Sequence, residues 1–130
     1  MKGFITNIEK DTLENEFYRK VLYTSKNCQL VLMCLNPGEE IGEEVHDLDQ
    51  FIRIEEGDGV VVLNGVESRV GGDFAIVIPE GVSHNVINKG DRKMKLYSLY
   101  SPQEHKDKTI HKTKEEAELN HEHFDGVLSE

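Results

Sequence analysis

Four side chains in two short segments of the sequence could together hold a divalent metal ion. Glu44, His46 and Gln50 follow one another closely, and in an extended segment their even spacing would place all three on one face. A carboxylate, an imidazole and an amide oxygen on one face make up half of a metal site. His84, which opens a candidate strand after the turn at Pro79-Glu80-Gly81, could supply the other half.

Each of these four residues also has a structural interpretation that needs no metal. Glu44 belongs to a run of acidic residues at 39–44, which is typical of a solvated edge. Gln50 could form hydrogen bonds inside the protein, and a histidine on a strand is often a polar residue satisfied by its neighbours. The two interpretations differ in whether the side chains converge.

Three further side chains could act on a bound molecule. Tyr100 faces inward if residues 94–100 alternate, so it could donate a hydrogen bond to a substrate oxygen or serve as a core tyrosine. His105 and His111 follow the last candidate strand, and either could fold over the site as an acid or base or lie in a surface loop. The segment His121-Glu122-His123 would place its imidazoles on different sides of a helix, so we do not expect it to clamp a metal.

Composition limits the class of protein and its partners. The 130 residues are 37% apolar, which suits one domain with a core. A formal charge of −10 repels phosphate backbones and anionic lipids, so we expect neither nucleic acid nor a membrane as partner. No apolar run approaches the ~18 to 20 residues of a membrane span and no signal peptide is evident, so we expect a cytoplasmic protein. Cys28 and Cys34 are interpreted as reduced core thiols rather than a metal pair.

The spacing of apolar residues and turns predicts an all-β protein. Short apolar or alternating runs are separated by turn sequences such as Asn64-Gly65, a pattern typical of an antiparallel sandwich or barrel. Two short helices are predicted near the ends, at 12–17 and 112–120. The candidate strands are 18–24, 29–35, 44–46, 51–55, 60–63, 67–70, 74–78, 84–88 and 94–100.

Alternation in the last strand also predicts a subunit interface. Lys93 and Lys95 mark the odd positions as outward, so Tyr97 and Leu99 would face away from the core. Phe51 would likewise face away from the core on its own strand. Apolar residues on both faces of a strand indicate a second layer, and we therefore expect a homodimer.

These residues resemble the two motifs of the cupin superfamily. The first motif reads Gly, five residues, His, one residue, His, three or four residues, Glu, six residues, Gly, and this sequence places Gly38, Glu44, His46, Gln50 and Gly57 at those spacings. The second motif is matched by Pro79, Gly81, His84 and Asn88, although Gly72 stands one residue too far from Pro79.

The resemblance implies a fold and a ligand set. The fold would be a double-stranded β-helix, a jelly-roll barrel with short terminal helices, in which 28–102 form the core within one domain. Residues 1–27 would add an N-terminal helix and edge strand, and 103–130 a polar loop and helix. One divalent ion (Fe, Mn, Ni or Zn) would be held by Glu44, His46, Gln50 and His84. This sequence has Glu44 where the family usually has His, and Gln50 where it usually has Glu, so the ligand charge is unchanged.

The resemblance also implies two candidate functions. The first is a mononuclear metalloenzyme, isomerase-like or dioxygenase-like, acting on a small oxygenated substrate such as a sugar or keto acid. In that case Glu44 or His105 would move a proton as catalytic residues, and Tyr100 and His111 would contact the substrate. The alternative is a module that binds or senses a sugar or carboxylate without catalysis.

Overall fold

The computed structural model describes residues 1–130 as two packed antiparallel β-sheets with two short helices. The all-β fold predicted from the turn spacing is confirmed, and no helix has the length and hydropathy needed to cross a membrane. The helices are α1 (Ile8–Glu14) and α2 (Lys114–Leu119), and the strands are β1 (Arg19–Thr24), β2 (Gln29–Leu35), β3 (Asp49–Glu56), β4 (Asp58–Leu63), β5 (Val66–Gly71), β6 (Ala75–Ile78), β7 (His84–Asn88), β8 (Met94–Ser101) and β9 (Ile110–His111).

The core lies between a six-stranded sheet and a three-stranded sheet. The larger sheet has the strand order β6-β3-β8-β2-β1-β9 and the smaller one β5-β4-β7. Alternate residues of each strand face the other sheet, as shown by the register pairs Ile54 with Leu96 and Ile52 with Ser98, all four of them buried. Burial of an isoleucine or leucine of this kind stabilises a fold by roughly 1.5 to 3 kcal/mol.

The segment 44–46, predicted as a strand, is not one. It forms only one isolated pairing with β7, Glu44 with His84, and Glu40 before it forms another with Ile87. Gly42 between them has φ of 103°, a left-handed conformation that breaks the extended pairing. The chain therefore runs along the edge of the small sheet before it enters β3 of the large one.

The N-terminal helix begins earlier than predicted. It spans Ile8–Glu14 rather than 12–17, because Asn7 is the N-cap and its side chain accepts a hydrogen bond from the Lys10 N–H. The predicted cap, Asp11, lies inside the helix and its carboxylate instead accepts from the Thr6 hydroxyl. The second helix begins at Lys114 behind the N-cap Thr113, within its predicted range.

The outer face of the large sheet is half covered. Lys95 faces outward as predicted, but it is buried, because the end of α1 packs over it and its ammonium donates to the Asn15 carbonyl. Beyond this helix an apolar row crosses four strands, with Val77, Phe51, Leu99 and Leu30 in register. Val77 is 65% exposed, so this part of the face has no covering layer within the chain.

The C-terminal segment closes one end of the sandwich. It returns as β9, which pairs with β1 so that His111 lies opposite Arg19, and the Ser129 N–H then donates to the Thr24 carbonyl. His105 and His111 are only 7% and 4% exposed, so neither is the exposed loop residue considered for them in the sequence. Gln29 explains the difference, because its buried side chain accepts from the His105 N–H and donates to the His105 carbonyl.

Candidate metal centre

Glu44, His46 and His84 converge at one point between the sheets. One donor atom from each residue lies within 4.8 Å of the other two, and the two imidazole rings are 5.0 Å apart. His84 is only 4% exposed. Two imidazoles and one carboxylate in this arrangement form a donor set for a divalent transition metal.

The backbone brings these residues together by crossing between the sheets. Glu44 and His84 exchange two backbone hydrogen bonds of 2.9 Å each, which places them side by side. Gly81, whose φ is 83°, turns its N–H toward the His46 carbonyl at 3.0 Å. The sequence argument that Glu44, His46 and Gln50 share one strand face is therefore wrong, although the convergence it predicted is present.

Each of the two histidines has a ring nitrogen that is available to a metal. Nδ1 of His84 lies 2.9 Å from the Val82 carbonyl, which can only accept, so Nδ1 carries the proton and Nε2 is available to a metal. Nε2 of His46 lies 2.7 Å from a Glu44 carboxylate oxygen, yet this buried nitrogen forms no hydrogen bond. Such a contact is typical of two ligand atoms around one ion. Behind the His46 ring, Glu104 lies 3.6 Å from Nδ1.

Gln50 adds a neutral oxygen beside this cluster. Its side chain is buried, and its amide nitrogen donates to the Ser98 hydroxyl at 3.2 Å, while its Oε1 has no partner. In the sheet Gln50 pairs with Tyr100, whose ring lies 6.0 Å from that of His46. The Oε1 atom of Gln50 and the Nε2 atom of His46 are both buried without a hydrogen-bond partner. Two such atoms fit a bound cation, so the residues present suit a divalent metal.

Charge interactions within the cluster shift two pKa values. Burial favours the uncharged form of each residue, but the close contact of His46 with Glu44 and the nearby charge of Glu104 hold the pKa of His46 above its usual value. The same contact keeps the pKa of Glu44 below its usual value in spite of burial. Both directions favour the charged forms, so Glu44 and His46 attract each other when no metal is bound.

A cavity of about 350 Å³ opens onto the cluster. Its lining includes Glu44 and His46 on one side and the C-terminal segment, with His105 and Glu122, on the other. Nδ1 of His105 lies 2.8 Å from the Glu122 carboxylate and therefore donates to it, while its buried Nε2 has no partner. The predicted position of His105 over the site is thus present, with a carboxylate holding the ring.

The two predicted substrate-contacting residues lie in different places. Tyr100 is buried beneath the cavity with its ring 5.3 Å from that of His105, and burial raises the pKa of its hydroxyl, which stays a hydrogen-bond donor. His111 lies behind the cavity wall, with Nδ1 3.1 Å from the Arg19 guanidinium.

Sequence reasoning missed three charged residues of the cavity. Arg19 could have been found, because it lies two residues before the core residue Val21 and so faces inward on β1. Glu104 and Glu122 carry no comparable signal, since their positions depend on how the C-terminal segment folds back.

The fold and the site together define a class of protein, a β-sandwich that encloses a two-histidine, one-carboxylate centre. A model of the cupin domain matches residues 31–100, which is more than half of the chain. The chain therefore belongs to the cupin family, as its two sequence motifs predicted.

Similar proteins support this assignment over most of the chain. YrkC of Bacillus subtilis is 44% identical over 123 residues, which cover 89% of this chain and 66% of YrkC. The crystal structure of BH2720 from Bacillus halodurans is 42% identical, with a TM-score of 0.89 over 92% of this chain and 96% of that protein. KdgF from Halomonas sp. shares the fold, with a TM-score of 0.65, 23% identity and coverage of 79% and 96%. The chain spans about two thirds of the length of the curated relatives it matches first.

Proposed function

We propose that this cupin is a mononuclear metalloenzyme that acts on a small oxygenated substrate such as a sugar or keto acid. The observation that supports this proposal is the convergence of Glu44, His46 and His84, with Gln50 beside them, next to a cavity that also holds a buried histidine. A metal bound there would act as a Lewis acid on a substrate oxygen. Isomerisation and oxygen-dependent chemistry are both compatible with this donor set.

In this proposal His105 moves the proton. Its Nδ1 donates to Glu122, so a neutral ring presents the lone pair of Nε2 as a base. Glu122 holds the ring and favours its protonated form after the transfer, and it is itself fixed by the Lys106 N–H at 2.8 Å. The hydroxyl of Tyr100, beneath the same cavity, is a hydrogen-bond donor for a substrate oxygen.

A non-catalytic binding or sensing module is the second candidate function. The observation that favours it is the 2.7 Å contact between Glu44 and His46, because the two side chains are close enough to pair with each other when no ion is bound. Such a site could hold a sugar or carboxylate with the metal structural or absent.

Metal content and turnover measured together separate the two functions. Untagged protein purified without chelator is analysed for Fe, Mn, Ni and Zn, and chelator-treated and reloaded samples are incubated with aldoses, ketoses and 2-oxo acids and followed by NMR. The enzyme proposal expects near-stoichiometric metal and consumption of a substrate that stops after chelation. Binding without consumption, equal in both samples, would establish the module instead.

Homodimer formation stays a prediction, and we propose the apolar row at Val77 and Phe51 as its interface. A second copy brings the same row, so the two patches match in chemistry, as in a two-fold contact. We expect light scattering at micromolar concentration to give twice the chain mass, and Val77→Asp to give a monomer. Val66→Asp is the control, because Val66 is equally exposed at 67% but lies on the small sheet. A monomeric wild-type protein would contradict the prediction.

A further inference from the structure

Arg19 is held in the cavity by uncharged neighbours. It opens β1 on the inner face of the large sheet, opposite His111 of β9, and its side chain lines the same cavity as Glu44 and His46. The guanidinium lies 5.3 Å from the centre of the Tyr18 ring, and Nη1 lies 3.1 Å from Nδ1 of His111, which accepts. These contacts fix the side chain without neutralising its charge, because neither the ring nor the imidazole is an anion.

Arg19 has no carboxylate partner, and its buried Nε has no hydrogen bond. This is unexpected in a chain with 25 acidic residues against 15 basic ones. By contrast, Arg53 lies 2.7 Å from Glu55 and Arg92 lies 3.4 Å from Glu56, although both are on the surface. A guanidinium that lines a cavity without a carboxylate partner leaves its charge available to an acceptor that enters the cavity from outside the chain.

We propose that Arg19 binds a carboxylate of the substrate, which makes the substrate of this site a small hydroxy or oxo acid rather than a neutral sugar. The inference rests on the proposed function, because it places a second recognition group beside the metal centre. The planar guanidinium presents two N–H groups side by side, a geometry that matches the two oxygens of a carboxylate.

The charge of the cavity is consistent with an anionic substrate once a metal is bound. Glu44, Glu104 and Glu122 line the cavity together with Arg19, so a divalent cation brings its formal charge to zero. His111 stays neutral beside Arg19, because burial and the guanidinium charge both lower its pKa. His111 is therefore a positioning residue for Arg19 rather than a direct contact of the substrate.

Calorimetric titration of matched acids and amides tests this inference. Zinc-loaded wild-type protein and the Arg19→Gln and Arg19→Lys variants are titrated with glycolate, lactate and malate, and with glycolamide, lactamide and malamide. We expect at least one acid to bind the wild type more tightly than its amide. Arg19→Gln should weaken the binding of that acid at least about tenfold and leave the binding of the amide unchanged. Arg19→Lys should recover part of the lost affinity. Arg53→Gln, which removes a surface guanidinium, is the control.

Two results would overturn the inference, namely equal binding of acids and amides by the wild type, and an equal loss of both in Arg19→Gln. Zinc stoichiometry and the melting temperature of each variant are measured alongside. If no zinc binds, the proposed metal centre fails by itself, and the same titrations on the protein as purified still decide whether Arg19 selects a carboxylate.

Discussion

In a His84→Ala variant, we expect the metal bound to untagged protein to fall from near-stoichiometric to background. The substitution removes the Nε2 atom that the Val82 hydrogen bond leaves free for an ion, so only Glu44, His46 and the neutral Gln50 remain. Loss of an outer-shell partner alone weakens metal affinity about 10- to 100-fold, so loss of a ligand should cost at least about 100-fold. Competition with a chromophoric chelator measures this affinity directly.

His121→Ala is the matched control for this result, because His121 lines the same cavity without belonging to the cluster. The control should keep the wild-type affinity. Metal at about 100 times the wild-type dissociation constant should stabilise wild type and control by about 2.7 kcal/mol, and His84→Ala by about 0.4 kcal/mol or less. The proposed centre would be wrong if His84→Ala bound metal normally, or if both variants lost it to the same extent.

The sequence was sufficient to predict the fold and the convergence of Glu44, His46 and His84, because both depend on motifs of short spacing. Alternation placed Leu96 and Tyr100 inward, and the structure buries both. The spacing of the second motif places His84 directly after a turn that requires a left-handed residue, which Gly81 supplies. Gly57 of the first motif also has a left-handed φ, of 107°, and in addition a side chain there would lie 2.8 Å from the Met94 backbone.

The rest of the site could not be predicted because it depends on contacts between distant parts of the chain. His105 and Glu122 are 17 residues apart, and Arg19 and His111 are 92 apart. No local period relates such pairs, and the C-terminal segment reads as polar along its whole length. The C-terminal segment docks through a few specific hydrogen bonds, such as the two between Gln29 and His105. The composition of the segment does not reveal these bonds.

Replacing Gln50 by glutamate should have opposite effects on the metal-free and metal-bound protein. Without metal, a carboxylate at this buried position has only the Ser98 hydroxyl as a partner, so the free energy of unfolding should fall by about 1 to 3 kcal/mol. With metal, the added negative charge faces the ion in place of the unpartnered amide oxygen. The affinity of the protein for the metal should therefore rise about tenfold or more. The hydrogen bond to Ser98 survives, because the serine hydroxyl can donate to the new carboxylate.

Urea unfolding of Gln50→Glu with chelator and with saturating zinc measures both effects on one sample. Gln29→Glu is the control, because Gln29 is also buried and also pairs with Tyr100, but its amide is fully used by Thr24 and His105. The control should be destabilised equally with and without zinc, since its carboxylate has no ion to meet. If Gln50→Glu behaves like the control, Gln50 lies outside the metal's reach and the centre consists of Glu44, His46 and His84 alone.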